Sequence, residues 1–414
     1  MKNKLFILFV CIAAMISAHA QTDSETLNQF IAKCKPLNDT YNDAYRRKDY
    51  PRTIQTLQTM LQAFNRLQLT KADHEKYGED LRAEKTNIYY NMACCYALQN
   101  KKKKAIEAFQ KAIANGYTNY RHALKDTDLS AIHNDKLFKQ ALATIEQFDN
   151  LYILRHAKPY CKEATDSFPR FTYQQSDNNS LKQMRAYFNL DSIAGNGDEV
   201  SKILNLLRFV HNTILHDGSH FGLCESSAVD IYNYYKVTGK GVNCRQLAIA
   251  LNGMYLAMGF PSRYVTCMPK DNKDQDCHVI NCVYSSQLGK WLWIDPTFNA
   301  YVKDENGNLL SIAEVRERLI ADRPLYLNED ANWNNRVKKT KEDYLDNYMA
   351  KNLYWFNCID YSCLHPEGRY RDLGERYILL LPNGFNSSHT VGANNIITHD
   401  ADYFWQKPTI IGNK

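Results

Sequence analysis

Gly239-Lys240-Gly241-Val242-Asn243-Cys244, running on into Arg245-Gln246-Leu247-Ala248-Ile249-Ala250-Leu251-Asn252-Gly253-Met254-Tyr255-Leu256-Ala257-Met258-Gly259, is the stretch on which the fold turns. Asn243 is a good helix N-cap. After it Leu247, Ala248, Leu251, Met254, Tyr255 and Met258 recur at helical spacing until Gly259, with Pro261 beyond. Cys244 is thus the first residue of a helix, on the face of Leu247 and Ala248, so its sulfur points toward whatever the helix packs on. A helix N-terminus offers unpaired N–H groups and positive potential, which lower a thiol's pKa and can hold an oxyanion. A buried inert thiol is the ordinary reading of a cysteine on an apolar helix face, so the case rests on its surroundings.

Downstream, Ser262 to Thr266, Cys277 to Tyr284 and Trp291 to Asp295 read as strands, the last two joined by a turn around Gln287-Leu288-Gly289. With the turn centred on Gln287 and Leu288, Tyr284 opposes Trp291, Cys282 opposes Trp293 and Ile280 opposes Asp295. His278 and Asp295 then share a face as diagonal neighbours, and a two-residue slip would set them directly opposite. In either register the carboxylate reaches the imidazole, fixes its tautomer and stabilises the imidazolium formed when His278 takes the thiol proton. Cys244, His278 and Asp295 make a nucleophile, base and orienter set. Taken singly, His278 could be a satisfied strand histidine and Asp295 before Pro296 a turn residue.

These residues resemble the transglutaminase-like superfamily of papain-related cysteine enzymes. The matching motifs are Gly239 to Cys244 with Leu256-Ala257-Met258-Gly259-Phe260-Pro261-Ser262-Arg263-Tyr264-Val265, then Cys277-His278-Val279, then Trp293-Ile294-Asp295-Pro296-Thr297. Their order and the intervals of 34 and 17 residues fit that core, over roughly residues 195 to 305. The resemblance implies thioester chemistry on a peptide or side-chain amide, by hydrolysis or by acyl transfer to an amine, with hydrolysis favoured by analogy to bacterial members. It also implies a second oxyanion donor from a side chain upstream of the nucleophile. His211, Asn212, His216 and His220 lie in that part of the chain without one standing out.

From Ser24 to about Phe148 the pattern is helical throughout. Residues 86 to 119 resemble a tetratricopeptide repeat, with Tyr89, Met92, Ala93, Tyr96, Ala105, Phe109 and Ala112 in its large and small positions. A looser copy surrounds Tyr41 to Ala63. One sound repeat cannot stack alone, so these helices brace the rest of the chain or bind a partner protein. Pro159, Pro169 and the polar stretch Gln174 to Ser180 mark an irregular connection. Helices are then expected over Glu199 to Leu215 and Ser226 to Tyr235.

Lys2 and Lys4, an apolar run from Leu5 to Ile16 and Ser17-Ala18-His19-Ala20 form the layout of a secretory signal, cleaved after Ala20. Cleavage leaves 394 residues and takes two lysines from 51 basic groups and none from 45 acids, so a net charge of +6 becomes +4. A balance so mild, with no basic stripe, excludes a nucleic-acid binder, and no later apolar stretch is long enough to span a membrane. Eleven of twelve cysteines survive cleavage, an odd number that leaves at least one thiol unpaired. Cys224 or Cys267 could silence Cys244 in a disulfide, and Cys358 with Cys363 could close a small loop. His211, His216, His220 and Cys224 match no zinc spacing, so no metal site is expected. His399 and Asp400 read as a surface pair.

The expected fold is α+β: signal peptide 1–20, helical tetratricopeptide-like domain 21–150, papain-like catalytic domain 151–330 with its nucleophile helix on an antiparallel sheet, and a C-terminal extension 331–414 packing on it. The expected protein is an exported, periplasmic or secreted, cysteine-dependent amide hydrolase or acyltransferase. It needs no cofactor and takes a peptide or protein substrate. The alternative is a catalytically silent binding module with a helical adaptor.

Overall fold

The computed structural model describes residues 25–367, 376–387 and 394–409. The expected signal lies outside the described residues. The chain divides into two compact units, one ending at Tyr152 and one starting at Ile153.

The first unit is helical: α1 (Glu25–Arg46), α2 (Tyr50–Arg66), α3 (Lys71–Leu98), α4 (Lys102–Ala114), α5 (Tyr120–Lys125) and α6 (Lys136–Ala143). Asp49 starts α2 by accepting from Arg52 N at 3.1 Å, with Pro51 in its first turn, and Thr70 starts α3 by accepting from Asp73 N at 3.1 Å. Ala93, Ala105 and Ala112 are fully buried beside Phe109 in one apolar cluster. Alanines there let α3 and α4 approach closely, and a leucine in their place would overpack the contact by about 1–3 kcal/mol.

In the second unit a six-stranded sheet runs in the order β6-β5-β4-β1-β2-β3, where β1 is Ser262–Met268, β2 His278–Ser285, β3 Lys290–Ile294, β4 Trp355–Ile359, β5 Tyr377–Leu380 and β6 Ile396–Thr398. One expectation changes here. The sheet is mixed rather than antiparallel, because β6 pairs with β5 in parallel. The intervening stretch, residues 381–395, is long enough for the crossover that a parallel pair requires. The chain after 331 adds strands to the same sheet: β4, paired to β1, continues it, and β5 and β6 extend it. Cys358 lies buried in β4 and Cys363 donates its S–H to His365 O at 3.4 Å, so the two do not close a disulfide loop. Asp400, expected at the surface, is buried because it caps the last helix, accepting from Asp402 N at 2.8 Å and Tyr403 N at 3.2 Å.

Helices α7 (Asn179–Phe188), α8 (Glu199–Thr213), α9 (Ala228–Thr238) and α10 (Cys244–Ala257) join one face of this sheet in a single apolar cluster. Its members Leu247, Ala248, Leu251 and Met254 come from α10, and Val279, Val283, Leu292 and Ile294 from β2 and β3. Full burial of side chains of this size contributes about 1.5–3 kcal/mol each. Two polar contacts fix the helix against sliding: Asn281 Nδ2 donates to Ala248 O, and Tyr255 OH donates to Ile203 O on α8, both at 2.9 Å.

Candidate active site

Three local devices converge on one point. The first is the tip of α10, where the Asn243 side chain accepts from Gln246 N at 3.0 Å. The N–H of Cys244, in the first turn, has no intrahelical acceptor. Arg245 anchors this tip from behind, donating to Glu367 at 2.5 Å, to Tyr377 OH at 2.8 Å and to Thr266 Oγ1 at 3.2 Å. The Arg245 guanidinium holds the Glu367 carboxyl below its ordinary range against the opposing effect of burial.

The second is the β2–β3 hairpin, which pairs Tyr284 with Trp291, Cys282 with Trp293 and Asn281 with Ile294. The ladder ends there, since Asp295 turns to exchange backbone hydrogen bonds with Ala300 at 2.9 and 3.0 Å. Its carboxylate therefore reaches diagonally, accepting from His278 Nε2 at 2.7 Å. Thr297 N donates to the other oxygen at 2.8 Å, a local turn that Asp-Pro-Thr favours. Both side chains are sealed from solvent, His278 at 1% exposure and Asp295 at 0%. With Nε2–H committed to the carboxylate, Nδ1 is the ring nitrogen free to face the thiol.

The third is the segment bearing His216, which bridges to Val242 in parallel. A Cβ on Gly241 would sit 2.9 Å from Leu215 O, so only glycine permits this approach. Asn334 grips the His216 backbone at both ends, its Oδ1 accepting from His216 N and its Nδ2 donating to His216 O, each at 2.9 Å. Trp333 Nε1–H donates to His216 Nδ1 at 3.0 Å. Because Nδ1 accepts, the ring proton is on Nε2.

Cys244, His278 and Asp295 are thus brought together, and His216 joins them. The Cys244 thiol is lowered from 9.0 to about 6: burial opposes ionisation, but hydrogen bonds from His216 and His278, the imidazolium charge and the Val279 N–H outweigh it. His278 is raised from 6.5 to about 10, burial opposing while the Asp295 carboxylate and the thiolate prevail. At neutral pH the pair is a thiolate and an imidazolium. Cys94, Cys224, Cys267, Cys277 and Cys358 shift the other way, chiefly through burial, and Cys244 is a free thiol with neither Cys224 nor Cys267 bonded to it. Of the other upstream candidates, His211 braces Pro296 O and Asn332 Oδ1 at 3.0 Å, Asn212 accepts from Asn335 at 2.9 Å and His220 meets Tyr234 OH at 2.6 Å.

Sequence reasoning missed two further participants. Tyr344 OH donates to Asp295 Oδ2 at 2.6 Å while accepting from Trp293 Nε1 at 3.1 Å, and Tyr348 meets the His278 ring edge-on at 5.2 Å. Both belong to a π-helical segment, Glu342–Met349. Such a turn is often found at functional sites, and the only trace of it in the sequence is the four-residue spacing of the two tyrosines. Among the described residues, no cluster of His, Cys, Asp and Glu is suited to a metal.

A thiol on a helix tip facing a histidine and carboxylate on a sheet is an arrangement that cysteine-dependent enzymes use. Residues 188–296 match the family described as the transglutaminase-like superfamily. A chloroplastic protein of Arabidopsis thaliana is 33% identical over 64 residues, 16% of this chain and 18% of that protein. A solved chain described as a candidate cysteine protease from Cytophaga hutchinsonii aligns over 43% of this chain and 55% of its own, at 18% identity and TM-score 0.23. The chain thus spans under a fifth of the first of these and about half of the second.

Proposed function

We propose that this protein is a cysteine-dependent amide hydrolase whose nucleophile, base and orienter are Cys244, His278 and Asp295. The observation that carries the reading is the buried pairing of His278 with Asp295 at 2.7 Å beside a depressed thiol on a helix tip. The Cys244 sulfur attacks the amide carbonyl carbon, a C–S bond forms and the carbonyl electron pair moves onto oxygen. The Cys244 N–H and His216 Nε2–H receive that oxyanion, two fixed donors of the kind worth about 10²–10³ in rate each. The tetrahedral intermediate collapses as the C–N bond breaks and His278 Nδ1 gives its proton to the leaving amine. Water, deprotonated by His278, then attacks the thioester and releases the carboxylic acid and the thiolate. An amine in place of water gives transfer instead of hydrolysis.

The first test is alkylation of Cys244 by iodoacetamide across pH, read by peptide mass spectrometry in wild type and His278→Ala. Selective labelling that rises through about pH 6 and moves up by more than one unit in the variant supports an activated thiolate. An unreactive Cys244 would leave the silent binding module as the better reading. Export rests on residues 1–20. A mature N-terminus at Gln21 in protein recovered from cells supports it, and an intact Met1 start refutes it. The helical unit is proposed to hold a substrate or partner protein, or to brace the core.

A further inference from the structure

Beside His278 lies a cavity of about 310 Å³ bounded by Phe298, Trp333, Lys339, Asp343, Tyr344 and Tyr348. Resting on the amide-cleavage reading above, we propose that this cavity is the subsite for the residue on the leaving-amine side of the attacked bond, and that it prefers an aromatic side chain. His278 must stand next to the departing nitrogen in order to protonate it. Phe298 and Tyr348 lie against the His278 ring at 5.4 and 5.2 Å, so the cavity they wall adjoins the residue that delivers that proton.

The chemistry of the walls follows from what their polar atoms already do. Trp333 Nε1–H is committed to His216, the Tyr344 hydroxyl to Asp295 and the Tyr348 hydroxyl points to Asp276 at 3.5 Å. What remains for an occupant is ring surface. Phe298 meets Tyr344 at 5.2 Å and 64°, and Tyr348 at 6.1 Å and 82°, an edge-to-face set that another ring can join in the geometry aromatic pairs prefer.

Two charged groups also line the cavity, Lys339 and Asp343. Lys339 Nζ already stands 5.0 Å from the Phe298 centroid. Among the described residues it makes no ion pair, whereas Asp343 accepts from Thr340 Oγ1 at 2.8 Å. Lys339 and Asp343 thus put one charge of each sign on the cavity wall, so it is the ring surface and not net charge that selects the occupant.

The test uses the full chain and needs no known substrate. X-Ala dipeptide amides, with X as Phe, Leu, Ala, Lys or Glu, are titrated for their protection of Cys244 against iodoacetamide at pH 7.5. Protection is expressed relative to the unprotected rate. Phe-Ala amide is expected to protect at a concentration roughly tenfold or more below Ala-Ala amide. A flat series, or no protection at tens of millimolar, while Cys244 stays reactive overturns the subsite and leaves the cysteine chemistry standing. Loss of Cys244 reactivity itself overturns both.

Discussion

Replacing Tyr344 by Phe removes a single oxygen that serves two buried groups. Its hydrogen bond to the Asp295 carboxylate is 2.6 Å, and a bond to a charged, buried acceptor is worth about 1.5–3 kcal/mol. The same oxygen accepts from Trp293 Nε1 at 3.1 Å, and that N–H, sealed in the core, would be left without an acceptor at a cost of about 1–3 kcal/mol. The two losses share one atom and do not add fully, so the expected destabilisation is about 2–4 kcal/mol. All five tryptophans lie beyond residue 290, so their fluorescence in urea follows the second unit without mixing in the helical one. The thiol itself should change little, because His216, His278 and Val279 act on it and Tyr344 does not. Tyr344→Phe is therefore expected to lose stability while its alkylation midpoint stays within about one pH unit of wild type. A loss below about 0.5 kcal/mol would refute the account of Asp295 as a carboxylate dependent on that hydroxyl.

The ion pair also sets a pH signature. The folded thiol pKa is depressed from 9.0 to about 6, which alone makes stability rise with pH between those values; the folded imidazole pKa is raised from 6.5 to about 10, which alone makes it fall with pH between those. From 6.5 to 9.0 the folded thiolate and imidazolium hold one proton, as do the unfolded thiol and imidazole, so the pair contributes no net slope there. Cys244→Ala keeps only the histidine arm, and its urea midpoint, unlike wild type's, is expected to fall as pH rises through that window. Trp333→Phe should shift the Cys244 alkylation midpoint upward and reduce turnover of an amide substrate about 10-fold or more, since His216 loses the bond that fixes its proton on Nε2; unchanged turnover would remove His216 from the oxyanion role.

What could be read from the sequence was whatever depended on neighbours along the chain. The N-cap Asn243 and the stop at Gly259 bound α10, and alternation from Cys277 to Tyr284 against Trp291 to Asp295 fixes which residues share a face. His216 was lost among nearby histidines because its placement depends on the absence of a side chain at Gly241, 25 positions away. Tyr344 was invisible because a π-helix has no strong sequence period of its own. The β4 run Trp355-Phe356-Asn357-Cys358-Ile359 is covered on both faces and so lacks the alternation that marks a half-exposed strand.

The sheet order has a consequence for how the molecule comes into being. Strand β1 sits between β2, whose partner residues follow within about 20 positions, and β4, whose residues come about 90 positions later. A chain emerging from the ribosome can close the β1–β2–β3 meander early. Until Tyr344 and β4 arrive, however, Asp295 lacks its tyrosine donor and the edge of β1 stands open. Such late, long-range closure is slow, and an unpaired edge invites pairing with another chain. The segment that carries the family match, 188–296, is for the same reason not a unit that can be cut out and expected to fold.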